Sequence, residues 1–267
     1  MGPGPVMWLI YAAIMANLRA GEGKMVPPYI GTKTPVDGWQ GAPSPRDTSG
    51  ELTLSGRHVA CVPFRTQAQA AELLAATDGR HDLWTYMPWG PFETAEALAA
   101  LIAGFQADPA WFYFAITDPA SGRVIGKAAY LRIAPDHGSI EVGGILFAPT
   151  LQRSPAATEA MVLMMRWAFA HGYRRYEWKC DAANLPSRRA AQRLGFSYEG
   201  VFRQHQVVKG LNRDTAWFAI TDQDWPALNA AYDAWLAPEN FDAQGQQITP
   251  LGQLTTPVRV SSDPALG

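Results

Sequence analysis

Glu141 is the one carboxylate in the apolar run Ser139 to Phe147, and it stands two residues before the pair Gly143-Gly144. Burial in such a run disfavours the charged carboxylate and raises its pKa toward neutrality, which suits a proton acceptor. A structural ion pair, or a strand residue facing solvent, fits the same position. Glycines weaken a strand interior. The pair therefore marks either a bulge with something extended along the strand or close packing against a bulky aromatic. The run then passes through Leu151-Gln152-Arg153-Ser154-Pro155-Ala156-Ala157-Thr158 into a helical pattern. Ser154 is a good N-cap and Pro155 a good first helical residue. The unpaired N–H groups of a helix start, with their partial positive charge, suit a phosphate. Small Ala156 and Ala157 allow close approach, and Arg153 adds a formal charge. Many helices begin this way, so the run alone does not define a site.

Asn184 and Ser187, in Asn184-Leu185-Pro186-Ser187-Arg188, bracket the start of a further short helix, where ordinary capping and ligand contact are both open. Trp84, Tyr86, Trp89 and Phe92 sit on a loop stiffened by Pro88, Gly90 and Pro91. They either contact a ligand or plug the core between two helices. Cys180 reads as a small buried core residue rather than a nucleophile. The five histidines show no metal-ligand spacing, so no metal is expected.

The elements that must position these residues follow from periodicity and punctuation. Strands are expected at 57–64, 111–117, 124–133, 139–147, 174–180, 198–209 and 213–221. Helices are expected at 67–76, from Thr94 to about 106, and at 155–171, 186–194 and 225–236. Asp118 to Gly122 and Gly210-Leu211-Asn212 read as hairpin turns. Strand 139–147, helix 155–171 and strand 174–180 form a β-α-β unit with parallel neighbours. The expected fold is a mixed α/β (α+β) domain, with a mostly antiparallel sheet of about seven strands flanked by helices.

The chain has 267 residues, 48% of them apolar and 17% charged, with net charge −2. That suffices for one sizeable core and gives no basic surface for nucleic acid. Two distant cysteines fit a reducing cytoplasm and argue against a disulfide framework. Val6 to Ala16 is apolar but roughly half of the about 20 residues needed to span a bilayer, and it lacks a basic n-region. An added arm, or a start at Met25, is the expectation there. Gly- and Pro-rich residues 1–49 should be a flexible arm or a strap lying on the domain, 50–222 the main domain, 223–237 a C-terminal helix and 238–267 an unstructured tail.

In order and spacing these segments resemble the GNAT superfamily of N-acyltransferases, and within it the branch that includes the ribosomal-protein N-terminal acetyltransferases. That family's phosphate loop runs Gln/Arg-x-x-Gly-x-Gly/Ala. Here Gln152 opens it, Pro155 takes the glycine slot, Ala157 closes it, and Thr158-Glu159-Ala160 follow. Pro155 has no N–H, so one donor of the usual loop is missing, and Arg153 and Ser154 are placed to compensate. Asn184-x-x-Ser187 with Leu194-Gly195-Phe196, and the terminal hairpin Arg213 to Phe218, are similar to the family's later motifs. The resemblance covers roughly residues 50 to 222.

It implies acetyl-CoA as co-substrate, an amine acceptor, and a wedge where strands 139–147 and 174–180 splay near Gly144. Gln152, Arg153, Ser154, Ala156, Ala157 and Thr158 would meet the pyrophosphate, and Asn184, Ser187 and Arg188 the rest of the cofactor. A backbone N–H at Ile145 or Leu146 would serve the oxyanion, Glu141 would be the base, and Ser187 could donate to the thiolate. Trp84, Tyr86, Trp89 and Phe92 would border the acceptor. A protein N-terminus, a free amino acid, a polyamine and an aminoglycoside stay open as acceptors. No nucleic acid or membrane partner is expected, and a homodimer is left open. The rival from another class is a non-catalytic acyl-CoA-binding module.

Overall fold

The computed structural model describes residues 36, 38–47 and 51–267. The apolar run Val6 to Ala16 and Met25 lie outside the described residues. In chain order the elements are β1 (Leu54–Ser55), β2 (Ala60–Pro63), α1 (Gln67–Ala76), a 3-10 turn (His81–Trp84) and α2 (Ala95–Gln106). Then come β3 (Phe112–Thr117), β4 (Val124–Ala134), β5 (Ser139–Phe147), α3 (Pro155–Ala170), β6 (Arg175–Asp181) and α4 (Leu185–Arg193). β7 (Ser197–Val208), β8 (Leu211–Thr221), α5 (Trp225–Leu236) and the short α6 (Leu251–Thr255) complete the chain.

One sheet of eight strands runs β1-β2-β3-β4-β5-β6-β8-β7. Its ladders are antiparallel except β5–β6. The strand beyond the expected seven is β1, whose two residues are too short to carry a periodic signal. The last hairpin turns at Lys209-Gly210, with φ of +51° and +77°, rather than at Gly210 to Asn212. Two successive left-handed residues match the twist of the flanking strands, so Leu211 and Asn212 already belong to β8.

Side chains alternate across the sheet. Ala129 and Leu131 of β4 join Phe64, Leu73, Leu98, Ile102 and Tyr113 beneath α1 and α2. Ala128 and Tyr130 join Met161, Met165, Tyr176, Phe218 and Tyr232 beneath α3 and α5. Each fully buried large side chain contributes roughly 1.5–3 kcal/mol. Helix starts are set locally. Thr66 and Gln69 form a reciprocal capping box for α1, Thr94 caps α2, and Ser154 followed by Pro155 starts α3. No helix among the described residues is long and apolar enough to cross a membrane.

Of the two readings of the N-terminal segment, described residues 38–47 follow the strap. Trp39 Nε1 donates to Asp136 O at 2.9 Å, Tyr173 Oη to Pro43 O at 3.0 Å, and Arg46 Nη2 to the carbonyls of Gln106, Asp108 and Trp111. Residues 238–267 are folded, not an unstructured tail. They include α6, with Leu251 buried, and they return to α4, where Asp263 forms a buried ion pair with Arg188. Their low periodicity hid them, because their few apolar anchors, such as Leu251 and Leu254, are scattered among residues held by individual polar contacts.

Candidate active site

β5 and β6 run in register from Ser139–Arg175 to Val142–Trp178, and there the ladder stops. β6 continues to Asp181 against β8 alone. β5 bends away at Gly144, whose φ is +58°, and the β4–β5 register shifts between Lys127 and Ala129. The glycine pair is thus a bulge that opens the sheet. It is also a close contact. A Cβ on Gly144 would lie 3.2 Å from the Tyr113 ring, and one on Gly143 would lie 2.7 Å from Leu131.

Glu141 is 3% exposed at the base of this fork. Its Oε2 accepts from Arg132 Nε at 2.7 Å and lies 3.0 Å from Lys179 Nζ, while Oε1 accepts from Arg132 Nη2 at 3.2 Å. Lys179 also meets Glu177 at 2.7 Å, and Glu177 meets Arg175 at 2.6 Å. Arg175 extends the alternating series to Glu199. Burial raises the Glu141 pKa above 4.5, outweighing the opposing pull of Arg132 and Lys179. At Glu177 burial also works against the charge, but the hydrogen bonds from Arg175 and Lys179 prevail and the pKa is lowered. Two neighbouring carboxylates are therefore driven apart in acidity, the pattern of an assigned acid/base role. The ion-pair reading and the proton-acceptor reading of Glu141 both have structural support.

Lys179 lies 3.8 Å from the centroid of the Trp217 ring. The Trp217 indole N–H is buried and has no acceptor among the described residues. Lys127, on β4, is 3% exposed and has no carboxylate within ion-pair distance among the described residues. Its Nζ donates to Gly144 O at 2.7 Å and lies 5.4 Å from the Tyr113 ring centroid. Burial pushes its pKa down to about 7. Sequence reasoning missed Lys127, Lys179 and Trp217. The available signal was Lys127 standing inside the apolar stretch Val124 to Ile133; Lys179 lies in a strand that alternates charged and apolar residues, where a lysine attracts no notice.

At the start of α3, Ser154 Oγ accepts from Ala157 N at 3.1 Å. The Gln152 N–H is taken by Ala148 O, and its side chain braces the loop by donating to Phe147 O at 2.9 Å. The N–H groups of Arg153, Ser154 and Ala156 meet no acceptor among the described residues, and Pro155 has none to give. Arg153 is left-handed at φ +57°, a strained position for a residue with a Cβ. Its guanidinium is exposed and makes no ion pair among the described residues. Thr158 is buried and its hydroxyl accepts from Arg193 at 3.1 Å, so its side chain is committed to the fold.

The second candidate segment is occupied by structural bonds. Asn184 Oδ1 caps α4 through Ser187 N at 3.1 Å, and Ser187 Oγ accepts from Trp178 Nε1 at 3.0 Å. Burial pushes the Cys180 thiol up to about 11, opposed by a hydrogen bond with Ser187. That is not the state of a nucleophile. Arg188 turns away from the fork. Its Nε and Nη2 donate to Asp263 at 2.6 and 2.5 Å, and it is 6% exposed. A formal charge next to Ser187 suggested a cofactor contact, but the C-terminal segment supplies its partner.

The aromatic loop divides. Trp84 and Phe92 pack together in the core beneath α1 and α2, and half-buried Trp89 covers its rim against Phe105 and Trp111. Tyr86 is the exposed member, and its Oη donates to Ala183 O at 3.2 Å. Lys209, in the β7–β8 turn, donates to Trp84 O at 3.0 Å. The loop is thus tied to both the β6–α4 connection and the last hairpin. Ile145 is partly buried on the α3 side, and Leu146 is buried on the other face.

Comparisons with known proteins agree with this geometry. The Acetyltransferase (GNAT) domain family matches residues 61–197, a span holding the fork, the α3 start and Asn184 to Ser187. A GCN5-related N-acetyltransferase from Brucella melitensis is 44% identical, with TM-score 0.77 over 82% of this chain and 99% of its own. A probable acetyltransferase (GNAT family) from Chromobacterium violaceum is 35% identical, with TM-score 0.70 over 75% of this chain and 100% of its own. Ribosomal-protein-S5-alanine acetyltransferase from Vibrio fischeri superposes with TM-score 0.54 over 65% of this chain and 98% of its own, at 20% identity, a likeness of fold alone. No curated protein matches the sequence. With just over half its length matched by the family, and the Brucella structure spanned at 44% identity, the chain belongs to the GNAT acetyltransferases.

Proposed function

We propose that this chain moves an acetyl group from acetyl-CoA to a primary amine, on a protein N-terminus or a small molecule, by direct attack of the amine on the thioester. The observation that carries the reading is the fork. β5 parts from β6 after Val142, and it leads straight to a helix start with three uncommitted N–H groups. A phosphate bound there meets the N–H groups of Arg153, Ser154 and Ala156 and the Arg153 guanidinium, which offsets the donor lost at Pro155. Gln152 and Ala157 shape the loop rather than donate. The open β5 edge offers backbone partners to an extended arm, and a backbone N–H at Ile145 or Leu146 is the donor for the developing oxyanion.

An alkylammonium of pKa near 10 must lose a proton before attack. Glu141 is the assigned acceptor, directly or through water, because burial holds it less acidic than Glu177. Ser187, which also bonds Cys180 and Trp178, is the candidate donor to a leaving thiolate. Tyr86 is the aromatic-loop residue placed to meet the acceptor, with Trp217 and Lys179 on the opposite wall.

Calorimetric titration with acetyl-CoA, followed by thiol release with a panel of amines, tests the reading. Absence of binding at millimolar concentration refutes it. Binding with no thiol release for any amine favours the acyl-CoA-binding module instead.

A further inference from the structure

Lys127 is costly where it stands. A buried ammonium without a counter-ion is penalised heavily, and an apolar side chain of equal length fills the same space at no such cost. Its polar contacts among the described residues are one carbonyl and one ring face, Gly144 O at 2.7 Å and Tyr113. That carbonyl belongs to the bulge that opens the fork. Gly144 sits at φ +58°, and glycine has several backbone conformations within easy reach, so the Gly144–Ile145 peptide can turn more readily than one between two residues with side chains. The peptide is planar and trans. Holding the Gly144 C=O therefore also fixes the Ile145 N–H, which points the opposite way, away from Lys127.

We propose that Lys127 is a positioning residue for acyl transfer, clamping the Gly144 carbonyl so that the Ile145 N–H stays aimed at the reacting thioester carbonyl. This rests on the acetyl transfer proposed above. Glu141 takes the proton and Lys127 acts only through the backbone. The lowered pKa of its ammonium fits the same placement, because no carboxylate nearby offsets its charge.

Lys127→Met keeps the side-chain length and removes the clamp. A merely structural lysine predicts that this variant melts at an unchanged or higher temperature and works normally. The clamp predicts retained or raised melting temperature, acetyl-CoA affinity within about threefold of wild type, and kcat lowered by roughly 10²-fold, the scale of a misplaced reacting group. A readout that needs no acceptor is the infrared stretch of [1-13C]acetyl-CoA bound to the full chain. The thioester carbonyl should absorb at lower frequency in the wild-type complex than free in solution, and should move back toward the free value in Lys127→Met. Lys127→Gln, which leaves a shorter uncharged donor, should fall between the two, and it supplies the comparison if the methionine variant folds poorly. An equal stretch in wild type and both variants overturns the proposal while leaving acetyl transfer standing. Failure of the wild-type chain to bind acetyl-CoA overturns both.

Discussion

Glu141 and Lys179 meet at 3.0 Å across the point where the β5–β6 ladder ends, and both side chains are almost fully buried. Past Val142–Trp178 no backbone bond joins the two strands, so this ion pair is the first link beyond the last rung. It ties the fork at its base and leaves the wider end open. Lys179 is shared with Glu177, which keeps a positive charge beside Glu141 without giving Glu141 sole claim to it.

Glu141→Gln keeps the size and removes both the charge and the proton acceptor. Turnover at pH 7 should fall by roughly 10²-fold or more, with the loss shrinking at high pH as free amine becomes available. Acetyl-CoA affinity should change little, because none of the phosphate and pantetheine contacts proposed above uses the Glu141 side chain. Stability has its own signature. The folded pKa of Glu141 lies above 4.5, so the folded chain binds the proton more tightly than the unfolded chain. The resulting cost is absent below pH 4.5 and complete above the folded pKa, and wild-type stability falls as pH rises through that window. In the glutamine variant this fall should be missing. Normal turnover of the variant at pH 7 would leave Glu141 as an ion-pair residue only.

The route from sequence to this site was uneven. Glu141 and the glycine pair were legible because each breaks a local rule, a charge in an apolar strand and glycines inside one, and Ser154-Pro155 because it follows the rule for a helix start. Most elements followed from the same periodicities. Arg188 was misread because its charge is answered from Asp263, 75 residues on, and no local pattern announces such a partner. Asp263 itself stands in a segment without helix or strand period. Trp84, Trp89 and Phe92 show the limit of composition. An aromatic-rich loop looks the same whether it faces a ligand or a core, and here three of its four rings face the core.

The Arg188–Asp263 pair makes the C-terminal segment a brace for α4, the helix that carries Ser187. Asp263→Asn leaves a buried guanidinium without its counter-charge and should destabilise the chain by about 3–5 kcal/mol in urea unfolding. The double variant Arg188→Met with Asp263→Leu should recover most of that, since an apolar replacement of the whole pair is often neutral. Equal losses in the single and double variants would show that the segment is held by its other bonds, such as Val260 N to Ser197 Oγ at 3.0 Å.

Arg46 is the corresponding device at the other end. One guanidinium nitrogen serves the carbonyls of Gln106, at the end of α2, and of Asp108 and Trp111 in the turn that leads to β3. Arg46→Ala should cost about 1–3 kcal/mol. A chain starting at Gly41 keeps Arg46 and should bind acetyl-CoA like the full chain. One starting at Thr48 should melt lower by the amount Arg46→Ala loses, or more. Identical melting of all three would reduce the strap to a surface contact.

Lys127 gives a stability test independent of catalysis. Its pKa falls from 10.5 in the unfolded chain to about 7 when folded, through burial. Between those values the unfolded state binds more protons, so stability rises with pH across the window. Below pH 7 both states carry the charge and the full desolvation cost is present, on the order of several kcal/mol. Lys127→Met removes that cost and gives up one hydrogen bond to Gly144 O, about 1 kcal/mol. The variant should therefore be the more stable protein at pH 6, and its advantage should shrink steadily as pH rises from 7 toward 10.5. Urea unfolding of both chains at pH 6, 8 and 10 reads the difference directly. A gap that does not change with pH would mean that Lys127 keeps one protonation state throughout, held by a partner it acquires in solution.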